Sequence, residues 1–169
     1  MVKYGVMKLR LSRNNMRNGA IIYATGDTIA ALILGQFSPV RTLGMMFIGA
    51  TLYAFEIPTC FHYIDQTAHK MKSKLRHTLT RTLLAFLYFN PLWIARHLMF
   101  IAILNGQWNA LNVSLLKTAL LSWLVNIPIS LAANAFIQLK IPLRWRFVGS
   151  AIFSGLMAIY YAMSSTWYR

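Results

Sequence analysis

The chain has 169 residues, 57% of them hydrophobic and 12% charged, and a formal net charge of +14 from 17 Lys and Arg against 3 Asp and Glu. A soluble domain carries about a quarter charged residues of both signs. So little charge, nearly all of one sign, excludes an ordinary soluble domain and points to a membrane protein. The basic residues sit mostly between apolar runs without a nucleic-acid fold motif, so nucleic acid is not an expected partner. The single Cys60 can form no intramolecular disulfide, and the fold therefore depends on no redox compartment.

Residues 1–17 hold Lys3, Lys8, Arg10, Arg13 and Arg17 and no acid. This basic tail reads as a cytoplasmic-side anchor, an interfacial amphipathic helix or an organelle-targeting signal. Residues 18–169 read as a single integral-membrane helical domain. The first predicted span, Asn18 to Gln36, is long enough to cross a bilayer and contains Asp27 after Gly26. A carboxylate at mid-span costs about 2.5–3.5 kcal/mol on the insertion scale, so Asp27 is expected to face the bundle interior and find a donor. Ser38 and Pro39 mark a turn. The second span, Arg41 to Ile64, carries Gly44, Gly49 and Ala50 for close helix approach, then Glu56 and Pro58, with Asp65 at its exit.

Residues 66–81 form a basic connection with Lys70, Lys72, Lys74, Arg76 and Arg81, read as a positive-inside loop or as a site for anionic lipid. The third span, about Thr82 to Leu104, is broken at Asn90 and Pro91 and carries Arg96 and His97. A turn follows at Asn105–Gln107, with Trp108 at the interface. The fourth span starts near Ser114. In it Ser122, Asn126, Ser130, Asn134 and Gln138 recur every four residues as one polar ridge, which lipid would reject. Pro128 is expected to kink this helix, which ends in a basic cluster of Lys140, Arg144 and Arg146 around Pro142. The fifth span, Phe147 to about Trp167, opens with Gly149, Ser150, Ser154 and Gly155 and closes with an aromatic belt that includes Tyr160. Lys and Arg alternate in number between successive connections, which fits five spans with the N-terminus on the positive side. The count becomes four if the tail lies flat or the Pro91 break makes the third span re-entrant. The expected fold is thus all-α, a polytopic transmembrane bundle of four to five spans kinked at Pro91 and Pro128.

These landmarks resemble those of the Mpv-seventeen and peroxisomal-membrane-protein (PMP) family, over about residues 18–164. Gly26 and Asp27 are similar to its first-span Gly-Asp, Arg41–Leu43 to its Arg-Thr-Leu, and Gly49 and Pro58 to its following glycine and proline. Tyr63 with Asp65, Pro91, Asn105 and Gly106 keep its order across the second and third spans. Pro128 to Asn134, Pro142, Arg146 and Tyr160 resemble its C-terminal signature. Ile127, Leu131 and Met157 depart from the family's usual Trp, Gln and Trp. The resemblance implies a protein of the mitochondrial inner or peroxisomal membrane, or of a bacterial membrane if the source is bacterial. It further implies a weakly selective pore for small solutes.

From the residues themselves, the candidate pore constellation is Asp27, Glu56 and Arg96 with Asn126, Ser130 and Asn134, since polar groups on several spans should converge where lipid does not reach. The competing reading is a buried Asp–Arg or Glu–Arg pair that locks the bundle. The function expected is passage of small hydrophilic solutes across the membrane. The alternative is a non-conducting scaffold that binds lipid or partner proteins through its basic loops. A lipid-directed enzyme would need Glu56, His62 and Asp65 together, and no enzyme activity is expected. The spacing of His62, His69, His77 and His97 suits no metal site, and no phosphate-cradling loop or other cofactor motif is present, so no cofactor is expected. Monomer and homo-oligomer both remain open.

Overall fold

The computed structural model describes residues 12–89 and 91–167, all helices and connections, with no strand among them. The basic tail up to residue 11, Asn90 and residues 168–169 lie outside the described residues. The helices are α1 (Arg13–Ile33), α2 (Pro39–Ile48), α3 (Ala54–His69), α4 (Lys74–Tyr88), α5 (Pro91–Leu104), α6 (Val113–Lys140) and α7 (Leu143–Trp167). A π-helical turn, Gly49–Tyr53, joins α2 to α3 without a break, giving one helical rod from Pro39 to His69.

Local chemistry sets the ends. Gly35 (φ 65°) and Gly106 (φ 68°) adopt the left-handed conformation that closes α1 and α5. In each case the next residue's N–H returns to a carbonyl five positions back, Gln36 to Ala31 and Gln107 to Ala102, both at 2.8 Å. Ser38 caps α2 by accepting from Arg41 N, with Pro39 at the first helical position, where its missing N–H is not needed. Asn112 caps α6 by accepting from Ser114 N at 2.8 Å.

Short connections and side-chain pairings give the topology. The α1 helix runs antiparallel to α2, through the pairs Gly19–Gly49 and Asp27–Arg41. The α3 helix is antiparallel to α4, through Asp65–Arg81 and the His69–His77 rings. The α6 helix is antiparallel to α7, through Asn126–Met157 and the approach of Ile137 to Gly149. First and last helices pack parallel to each other, with Gly19 beside Phe147 and Gly26 beside Gly155. A Cβ on Gly26 would sit 2.7 Å from Gly155 Cα, and one on Gly19 2.2 Å from the Gly49 carbonyl oxygen, so these contacts require glycine.

Two boundaries differ from the sequence expectation. Helix continues through most of the predicted basic loop, which shrinks to residues 70–73 between α3 and α4. The first helix takes in Arg13 and Arg17, formerly assigned to the tail. Pro58 and Pro128 both lie inside unbroken helices, and Pro128 faces outward, away from the buried polar ridge. The helix before Pro91 stops at Tyr88, and Pro91 begins the next one.

The interior mixes an apolar core around Tyr53, Ile57 and Phe61 with buried polar groups, and the outer surface is apolar. Asp27, Arg41, His97, Asn126, Asn134 and Gln138 are buried, while Leu32, Phe47, Leu92, Val125, Ile129, Phe136 and Leu156 are exposed. An outer surface of this kind belongs against hydrocarbon. Three helical segments, Pro39–His69, Lys74–Leu104 and Val113–Lys140, are long and apolar enough to cross a membrane. The chain is thus compatible with an integral membrane protein.

Candidate functional site

Each of the three acids is held by arginine, at a different level of the bundle. Asp27 on α1 and Arg41 on α2 are both 1% exposed and form a bidentate pair. Arg41 Nε donates to Oδ2 and Nη2 to Oδ1, each at 2.7 Å. Beside them the Thr28 and Thr42 hydroxyls share a hydrogen bond of 2.9 Å across the same two helices. Planar, two-pronged pairing of this sort offsets the cost of removing both charges from water, and loss of one partner leaves the other uncompensated.

The middle level is aromatic and ionic. Tyr53, from the π-helical turn, shares a 3.0 Å hydrogen bond with His97 Nδ1 and packs its ring on Tyr23 and Trp93. The His97 ring also stacks on that of Trp93, with centroids 5.7 Å apart. Glu56 Oε1 accepts from Tyr88 Oη at 2.6 Å and from Arg96 Nη2 at 3.0 Å, and its Oε2 lies 2.8 Å from the same nitrogen as an ion-pair contact. The Arg96 guanidinium lies 5.8 Å from the Tyr53 ring centroid and 6.0 Å from that of Trp93, which adds cation–π attraction.

At the opposite end Asp65 takes two cations. Arg146 Nη1 approaches its Oδ1 at 2.6 Å and Arg81 Nε at 3.1 Å, so one carboxylate ties α3 to α4 and α7. Arg146 also donates from Nε to the Ile141 carbonyl, which closes the connection between α6 and α7. Pro142 lies in that connection, and the neighbouring Arg144 is exposed.

The polar ridge of α6 is buried along its whole length: Ser122, Asn126, Ser130, Asn134 and Gln138 are all 8% exposed or less. It faces α7. Asn126 Nδ2 donates to Ser130 Oγ at 2.9 Å and meets Met157 Sδ at 3.0 Å. Asn134 Nδ2 donates to the Ser130 carbonyl, and Tyr160 Oη reaches the Ser122 carbonyl. Both amide atoms of Gln138 are buried without a hydrogen-bond partner among the described residues.

Two recesses open beside the ionic groups. One, of about 200 Å³, lies where α1 ends and α6 begins; Gln36, Arg41, Gln107, Ser114 and Thr118 supply its polar wall. Arg41 lines it, so the partner of Asp27 borders this recess. The other, about 330 Å³, is bordered by Glu56, Tyr88, Leu92, Trp93 and Arg96.

Of the residues singled out from sequence, the structure joins Glu56 directly to Arg96. Asp27 is paired with Arg41 instead. The described hydrogen bonds of Asn126, Ser130 and Asn134 stay within α6 or reach α7 rather than these charges. Glu56, His62 and Asp65 are not brought together, since His62 pairs with Gln66 and the acids with separate arginines. Arg41, the first residue of the second span expected from sequence, is buried against Asp27, because α2 turns back along α1 and presents it there. Tyr53, His97, Tyr88 and Arg81 carried no signal beyond their residue type, since only the packing of distant helices brings them to a carboxylate or to one another. Comparison with known protein families, with curated proteins and with solved structures returns no match.

Proposed function

We propose that the chain forms a five-span bundle that passes small hydrophilic solutes with low selectivity, as its resemblance to the Mpv-seventeen and PMP family implies. On this reading α1 and α7 cross the membrane beside the three more apolar rods. The observation that carries it is a set of polar groups leading into an apolar-coated bundle: Gln36, Gln107 and Ser114 at one recess, then Arg41–Asp27, His97–Tyr53 and Arg96–Glu56. In hydrocarbon such groups exchange hydration for one another, and a solute that replaces those contacts can move along them. On this reading the Asp27–Arg41 pair closes the way inward from the first recess, so this arrangement corresponds to a closed pathway. The membrane proposed is the mitochondrial inner or the peroxisomal one.

A second reading, a non-conducting scaffold that binds anionic lipid through Lys70, Lys72, Lys74 and Arg76, is favoured by the pairing of every acid with arginine. The two separate in one experiment, release of graded-size solutes from proteoliposomes by wild type, Asp27→Asn and Asn134→Leu. The pore reading expects release with a size cutoff, and Asp27→Asn raises the rate. No release from folded protein above protein-free vesicles refutes it in favour of the scaffold.

A further inference from the structure

Of the three ion-paired clusters, that of Glu56 and Arg96 is the most open among the described residues. The Asp27–Arg41 side chains are 1% exposed, whereas those of Glu56 and Arg96 are 25% and 31% exposed. Leu92 borders the same recess and is 68% exposed, so this recess opens on the outer surface of the bundle. Glu56 lies deep in the Pro39–His69 rod, about 20 Å from its His69 end and about 26 Å from its Pro39 end at 1.5 Å per residue. When that rod spans a hydrocarbon layer about 30 Å thick, the exposed ion pair sits near its middle, where lipid offers no partner.

Something covers this face, and its chemistry selects the cover. A lipid headgroup would have to descend to mid-bilayer to reach it. The small-residue stripes that pair membrane helices are already occupied within the chain: Gly19 meets Gly49, Gly26 meets Gly155 and Gly44 meets Leu104. What remains is an anion and a cation side by side, 2.8 Å apart, a patch complementary to itself. A two-fold axis beside it sets Glu56 of each copy against Arg96 of the other, with charges of alternating sign, and lets each Leu92 fill the other copy's recess.

We infer that the Glu56–Arg96 face is the interface through which two copies of this chain pair in the membrane. Tyr63, two helical turns beyond Glu56 on the same side of α3 and 57% exposed, extends the contact toward the basic end.

The test uses the full chain in nanodiscs or native membranes. With the only cysteine removed (Cys60→Ser), Leu92→Cys places a thiol at the proposed interface, and Ile129→Cys places one on the exposed side of α6 as control. Oxidation is expected to give a covalent dimer from Leu92→Cys and none from Ile129→Cys. Equal or absent crosslinking at both overturns the proposal. A second measurement separates pairing from folding: the charge-swapped chain, Glu56→Arg with Arg96→Glu, keeps its internal ion pair. Two-colour single-molecule counting should find wild-type pairs and swapped pairs but a loss of mixed ones, because mixing sets like charges across the axis. Random mixing, or monomers alone with or without retained lipid, overturns it.

Discussion

Replacing Asp27 by asparagine keeps the side chain's size and removes its charge, leaving Arg41 cationic at 1% exposure with no carboxylate beside it. With charge centres about 4 Å apart and an effective dielectric of about 20, the lost attraction is about 4 kcal/mol. Measured losses on breaking a buried pair fall at about 3–5 kcal/mol, because the orphaned partner stays buried. For a chain of this length that corresponds to a fall of roughly 6–20 °C in the unfolding midpoint. The assay is thermal unfolding in a mild detergent, followed by tryptophan fluorescence, on wild type, Asp27→Asn, Arg41→Gln and the double variant. The double variant should be less damaged than the two single losses added together, with a coupling of about 3 kcal/mol. A shift below about 2 °C for Asp27→Asn, under about 1 kcal/mol, would show that the pair does not hold α1 to α2.

Gly19→Ala forces a methyl against the Gly49 carbonyl and should cost about 1–3 kcal/mol in the same assay; a wild-type midpoint would mean that the two backbones separate freely. Gln138→Met replaces a fully buried amide that has no partner among the described residues with an apolar chain of similar length, so the midpoint should hold or rise. A clear fall would reveal a polar partner at that position. Asp65→Asn releases the cations of α4 and α7 and should cost about 1.5–3 kcal/mol. Its signature is faster amide exchange over residues 143–149, and unchanged exchange there would rule out the carboxylate as the tether of α7.

Sequence reasoning reached furthest where one residue's solvent requirement was decisive. The four-residue recurrence from Ser122 to Gln138 required a buried polar ridge, and all five of its residues are buried. The need of Asp27 for a donor was equally plain, but the donor's identity was not. Arg41 looked like an ordinary flanking cation, and only the tight Gly35–Ser38 turn, which lays α2 back along α1, brings it to the depth of Asp27. The π-helical turn at Gly49–Tyr53 was invisible for a similar reason: it widens the helix where Gly19 presses on Gly49, a contact between residues thirty positions apart in sequence.

Composition and periodicity by themselves determined an all-helical chain with an apolar exterior, the residues that must turn inward, and several helix boundaries. Those are properties of each segment against its solvent, and a segment carries them alone. Tertiary structure decided which arginine meets which acid and which glycines touch, and turned the α6 ridge toward α7 rather than toward Asp27 and Glu56. It also left one ion pair facing outward. These are relations between segments far apart in the chain, fixed by backbone approach and side-chain reach in three dimensions.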